Sequence, residues 1–297
     1  MTQPLLALRT AASLPHFRIS VQREMAGLFS TRITSPARNL LFSNTFTKQI
    51  TTRRINTAIK MGSQPQADIT LYTNHACPFA HRAHITLAEL GLPVREEIID
   101  LNTPRSPEYL QINPRGLVPT IIYNGEIITE SAIVAQFLAD AHPSHLLPAS
   151  TDKNGPLTRA RVAFFADAYS NKVQAHIGKA IYRAQTEEEV NQAVDDAVAG
   201  IVKEVEPLLK NAAPFFNGSD KLTFAEVLVA PFVIRLLSSA KHGLLPTNLP
   251  SRLEKETPNF YKWAQAISKN PSVLKIYDED RVVEASKRVR AKFASKA

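Results

Sequence analysis

The sequence predicts a four-stranded α/β domain followed by an all-α domain. Three features predict it. Between residues 68 and 140 short alternating strand patterns interleave with helical ones. From His142-Pro143 through Leu147-Pro148 to Asn154-Gly155-Pro156 the chain is punctuated like a linker. Beyond it glycine and strand-like runs are scarce and helical apolar periods take over. The expected boundaries are an extension over 1–60, a first domain over 61–147, a linker over 148–156 and a helical domain over 157–297.

Bulk properties narrow the class. The chain has 297 residues, enough for one or two domains with proper cores. No apolar run approaches the roughly 18–20 residues of a membrane helix. The net charge of +8 invites a nucleic-acid partner, but its placement argues against one. Residues 1–60 hold seven Arg and two Lys against one acid, Glu24, and account for all of it. A single cysteine, Cys77, excludes an internal disulfide and fits a reducing compartment.

The first sixty residues are basic, nearly acid-free and rich in hydroxyls, with apolar clusters such as Leu5-Leu6-Ala7-Leu8 and Leu40-Leu41-Phe42 among the arginines. That is the composition of a mitochondrial transit peptide. A disordered basic extension has the same composition. Met61 begins a segment that would stand as a cytosolic form.

The first domain opens with a strand, Asp68-Ile69-Thr70-Leu71-Tyr72. After the turn Thr73-Asn74-His75-Ala76 comes Cys77-Pro78-Phe79-Ala80-His81-Arg82. Pro78 suits the first helical position, because its missing N–H has no intrahelical acceptor there. Phe79, Ala83, Leu87 and Leu90 share one helical face, and Gly91 suits a left-handed cap. Cys77 therefore sits at a helix N-terminus, where free N–H groups and the dipole favour a thiolate. Such placement lowers a cysteine pKa from about 8.5 to about 3.5–7.5. A buried structural cysteine is the alternative. No second cysteine stands at the i+3 position, so an outside thiol must complete any disulfide exchange.

A second strand is predicted over 94–100. A short helix is capped by Ser106 with Pro107 first. Strands at 120–122 and 126–128 meet at Asn124-Gly125, a strong hairpin signal. A helix over about 131–140 closes the domain. The order of elements is thioredoxin-like.

Residues 68–147 resemble the N-terminal domain of glutathione transferases. The Cys77-Pro78-Phe79-Ala80-His81-Arg82 run is similar to the omega class, which has Cys where tau and theta classes have Ser and others use Tyr. Asn113-Pro114-Arg115-Gly116-Leu117-Val118-Pro119 and Glu130-Ser131 are similar to the family's other two signatures. The resemblance implies the glutathione transferase fold and a cis bond at Val118-Pro119. It implies Cys77 as the catalytic thiol and glutathione contacts at Phe79, Val118, Pro119, Glu130 and Ser131. Omega enzymes commonly carry a Lys before the Asn-Pro pair, facing the glycyl carboxylate; Gln111 and Ile112 stand there instead, so Gln111 or Arg115 would substitute. Implied activities are thioltransferase, dehydroascorbate reductase or deglutathionylation. A conjugating transferase for electrophiles and a non-catalytic binding module are the alternatives. Glutathione is the expected co-substrate, a small molecule the acceptor, and a homodimer the expected assembly.

Other residues are weaker candidates. Tyr72 fits strand packing. His75, His81 and His84 surround Cys77, but with one Cys and no evident carboxylate partner they read as surface histidines, and no metal is expected. Arg82 either adds positive potential near the thiol or pairs at the surface.

In the second domain Val190, Val194, Val198, Ile201, Val205 and Leu208 form a helical core stripe, which Pro207 kinks or ends. Thr223-Phe224-Ala225-Glu226 reads as a capping box, with Leu222 and Val227 as its hydrophobic staple. Helices are expected over 258–267, with Trp263, and in the charged tail. Phe164, Phe165, Tyr169 and Lys172 are the candidates for the acceptor pocket.

Overall fold

A computed structural model describes residues 67–295. The extension over 1–60, with its predicted targeting role, lies outside them.

The first layer is a four-stranded sheet in the order β2-β1-β3-β4, comprising β1 (Ile69–Thr73), β2 (Arg95–Ile98), β3 (Thr120–Tyr123) and β4 (Glu126–Thr129). β1 runs parallel to β2 and antiparallel to β3; β3 and β4 form a hairpin. Its turn residues Asn124 and Gly125 both have positive φ, the conformation the Asn-Gly pair supplies at low cost. β2 is an exposed edge strand, whose Arg95, Glu96 and Glu97 suit an edge that must not recruit another chain.

Helix α1 (Pro78–Glu89) connects the parallel strands, α2 (Pro107–Ile112) follows β2, and α3 (Ser131–Ala141) follows the hairpin. Ala83 and Leu87 of α1 and Val134 and Leu138 of α3 pack on Ile69, Leu71 and Ile121 of the sheet. The other side of α1 packs on α7 (Phe224–Lys241), the central helix of the second layer. Sixteen of its 18 residues are buried, which explains an apolar sequence with no polar stripe. Around it lie α4 (Gly155–Tyr169), α5 (Ala175–Tyr182), α6 (Glu187–Gly200), α8 (Leu249–Glu256), α9 (Pro258–Ile267), α10 (Pro271–Leu274) and α11 (Glu279–Ala294). Ile85 of α1 and Ala135 and Ala139 of α3 belong to the same apolar core as these helices. The sheet layer is thus cemented to the helical layer through α1 and α3.

Local signals explain the rest. The capping box of α7 is formed, and the Glu226 carboxylate extends it, accepting from Phe216 N–H (2.7 Å) and Trp263 Nε1–H (2.6 Å). The valine stripe is buried along α6 and on through a π turn (Ile201–Val205), and Pro207 stands at the start of the 3-10 turn (Glu206–Leu209) that closes the run. Phe79 departs from expectation: it is 48% exposed, outside the apolar face it shares by spacing with Ala83 and Leu87.

Candidate active site

Cys77 is the N-cap of α1, with Pro78 first in the helix. Asn74 shapes the turn before it. Its side chain donates to Ile99 O (2.9 Å) and accepts from Ala76 N–H (3.0 Å), while its carbonyl accepts from Cys77 N–H (3.0 Å). The thiol points toward Val118 O at 3.9 Å, the outer limit of a weak sulfur hydrogen bond. The expected lowering of the thiol pKa is corrected. Burial pushes the Cys77 thiol up, and this outweighs the N–H groups of Ala80 and Phe79 and the charges of Arg235 and Arg82, all of which pull it down.

Those two arginines are interior groups. Arg82 is buried rather than paired at the surface. It donates from Nε to Leu228 O (2.8 Å) and from Nη1 to Ser131 Oγ (3.1 Å), with the rings of Phe232 and Phe79 4.9 and 5.6 Å from the guanidinium. Arg235 of α7 donates to Pro231 O (2.7 Å) and to Ala76 O (3.2 Å), next to the cysteine, and lies over Tyr277. Neither makes a carboxylate ion pair among the described residues. Sequence reasoning missed Arg235 because 158 positions separate it from Cys77; only the packing of α7 on α1 joins them.

Two cavities meet at Cys77 and Phe79. The first, about 340 Å³, is bounded by Val118, Pro119, Glu130, Ser131 and Arg105. The Val118-Pro119 bond is cis. The loop before it is held by Asn113 Nδ2, which donates to Leu117 O (3.0 Å) and Thr120 Oγ1 (2.9 Å). Glu130 has φ +69°, a region non-glycine residues enter at a cost of order 1 kcal/mol or more. This bend lets β4 turn into α3 while Glu130 and Ser131 both face the cavity. Gln111 and Arg115 do not line it: Gln111 is exposed on α2, and Arg115 pairs with Glu130 at the rim. The cation that does is Arg105, anchored by Nε to Gly116 O (2.9 Å) and by Nη1 to Asp100 O (2.7 Å).

The second cavity, about 480 Å³, is walled by Phe79, Ile98 and Leu101 on one side and by Ser286, Val289 and basic residues of α11 on the other. The acceptor candidates are therefore corrected. Phe165 and Tyr169 are fully buried in the helical core, where Phe165 packs on Trp263 and Tyr169 on Phe260. Phe164 and Lys172 are exposed, and neither lines the Cys77 cavities. Amphipathic spacing gave no sign that the charged tail returns over the thiol. A wider depression of about 750 Å³ shares only Tyr182 with the thiol cavity and does not reach Cys77.

The histidines are corrected too. His81 is fully buried, donating from Nε2 to Val273 O (2.8 Å) while Nδ1 faces Arg235 Nη1 (3.2 Å); burial first, then the Arg235 charge, hold its pKa well below the ordinary value. His84 is buried against Thr73, and burial pushes its pKa down to about 4. His75 is half-buried, and β2 supplies it a carboxylate, Glu96, at 2.7 Å. Tyr72 packs tilted against Tyr109.

A family model described as the glutathione S-transferase N-terminal domain matches residues 76–141. Glutathione S-transferase omega-1 of Sus scrofa is 29% identical over 227 residues, covering 75% of this chain and 86% of the relative. Glutathione S-transferase omega-1 of Rattus norvegicus is 30% identical over 178 residues, covering 59% of this chain and 70% of the relative. Among solved structures, rice GST1 in complex with glutathione superimposes with a TM-score of 0.66 at 26% identity, over 77% of this chain and 99% of the other.

Proposed function

This chain belongs to the glutathione S-transferase family, in its omega-like, cysteine-type class, and we propose that it works as a glutathione-dependent thiol transferase with Cys77 as nucleophile. The observation that carries the reading is the meeting of two cavities at one sulfur. A glutathionyl group fits the cavity of Val118, Glu130 and Ser131, and its partner group fits the cavity under α11.

The roles follow from the chemistry of each wall. The N–H and C=O of Val118, at the cis-proline corner, offer strand-like pairing to the cysteinyl backbone of glutathione. Ser131, first in α3, offers a hydroxyl and a helix N-terminus to the γ-glutamyl carboxylate. Glu130 faces the γ-glutamyl ammonium. Arg105, rather than Gln111 or Arg115, takes the glycyl carboxylate. Phe79 lines both cavities beside the sulfur.

The reaction has two balanced steps. The Cys77 thiolate attacks the glutathionyl sulfur of a mixed disulfide; the Cys77–glutathione bond forms, the original S–S bond breaks, and the acceptor leaves as a thiolate that takes a proton. A second glutathione thiolate then attacks the bound glutathionyl sulfur, releasing glutathione disulfide and restoring the Cys77 thiolate. A single cysteine makes this outside thiol obligatory.

The test is glutathione-dependent reduction of a small mixed disulfide by the full chain, its Cys77→Ser form and Arg105→Ala. The reading expects activity in the parent, at least a 100-fold loss with Cys77→Ser, and a raised KM for glutathione with Arg105→Ala. A parent that conjugates an electrophile but reduces no disulfide would replace the thiol reading with a conjugating one.

A further inference from the structure

We propose that His75, His84 and Glu96 form a binding site for a divalent transition-metal cation of the Zn²⁺ type. The three residues come from different elements: His75 from the turn leading to Cys77, His84 from the middle of α1, and Glu96 from β2. Their ligand atoms all lie within 4.8 Å of one another. The proposal is independent of the thiol chemistry assigned to Cys77.

The internal distances carry the argument. His84 Nδ1 faces Glu96 Oε1 at 3.6 Å, too long for a hydrogen bond. Two ligands held about 2.1 Å from a tetrahedral ion stand about 3.4 Å apart, so this gap is the one a shared cation fills. His75 Nε2 reaches the other carboxylate oxygen at 2.7 Å, so a rotation of one exposed side chain brings the third ligand to the same point.

Support behind the ligands is already built. Thr73 Oγ1, fully buried, lies 2.7 Å from His84 Nε2. If that contact takes the Nε2 proton, Nδ1 keeps its lone pair toward Glu96, which is the outer contact that orients a metal-bound imidazole. His84 is rigid within α1, whereas His75 and Glu96 are each about a third exposed, leaving a way in and a fourth position for water. Two imidazoles with one carboxylate suit zinc and its neighbours rather than calcium or magnesium, which prefer oxygen. A bound cation would tie β2, the Cys77 turn and α1 together.

Zinc also binds thiolates, so the test separates the trio from Cys77. The chelator-stripped full chain is titrated with Zn²⁺ by calorimetry and with Co²⁺ by visible absorption, alongside Glu96→Gln, His75→Gln and Cys77→Ser, each checked for fold by circular dichroism. The site predicts one ion per chain. It predicts at least a 10-fold weaker affinity in Glu96→Gln and in His75→Gln, and unchanged affinity in Cys77→Ser. It also predicts a Co²⁺ spectrum without thiolate charge transfer. Absence of binding, loss of binding in Cys77→Ser, or retention in Glu96→Gln would each overturn it.

Discussion

Cys77 is pulled in opposite directions by its two surroundings. The start of α1 and two buried guanidiniums favour a thiolate, while the packing that half-buries the sulfur disfavours it, and burial is the larger effect. A thiol with a raised pKa is a stronger nucleophile once ionised but is less often ionised at neutral pH. Alkylation of the full chain by iodoacetamide should therefore accelerate with pH to a midpoint above that of an unstructured cysteine peptide. A midpoint below the peptide's would mean that the helix terminus and the arginines outweigh burial. The sequence placed the sulfur at a helix start because Pro78 and the strand before it are local signals. It could not weigh desolvation, which depends on Leu101, Tyr109 and Val118 gathering around the thiol from more distant parts of the chain.

At the level of elements, the legible features were those with local chemistry: Asn124-Gly125 for the hairpin, Ser106-Pro107 for α2, and Thr223 with Glu226 for α7. The illegible ones needed tertiary partners. Phe165 and Tyr169 have the look of pocket aromatics, but α4 turns them into the core; α11, expected as a helix in the charged tail and given no part in the site, forms a wall over Cys77 instead. Gly200 is another such position. It ends α6 where this segment crosses the π turn after α4, and a Cβ there would lie 2.1 Å from Lys172 O. Backbone lies on both sides, so neither can yield cheaply. Gly200→Ala should cost about 3 kcal/mol in urea unfolding, at the upper end for overpacking; a cost near zero would show that the two segments separate without strain.

For the whole molecule, the joint between the layers governs both stability and chemistry. His81 lies in that joint, neutral between Val273, Arg235 and Tyr277. Its folded pKa is held well below the ordinary 6.5. The unfolded chain therefore takes up a proton below pH 6.5 that the folded chain refuses, so this contribution is present above pH 6.5 and is lost as pH falls beneath it. The melting temperature should drop between pH 7 and pH 5, and His81→Gln should flatten that drop even if it lowers the overall stability. An equal drop in the variant would place the acid sensitivity elsewhere. The same joint brings Arg82 to Ser131 and Arg235 to the Cys77 turn, so the groove depends on the helical layer as much as on the sheet.

The central claim is that Cys77 exchanges with glutathione sulfur, and mass spectrometry of the full chain after brief exposure to glutathione disulfide tests it most directly. The account predicts one glutathionyl group per chain, mapped to the peptide containing Cys77 and removed by added glutathione. Failure of Cys77 to take up the group, while a cysteine peptide does so under the same conditions, would contradict it.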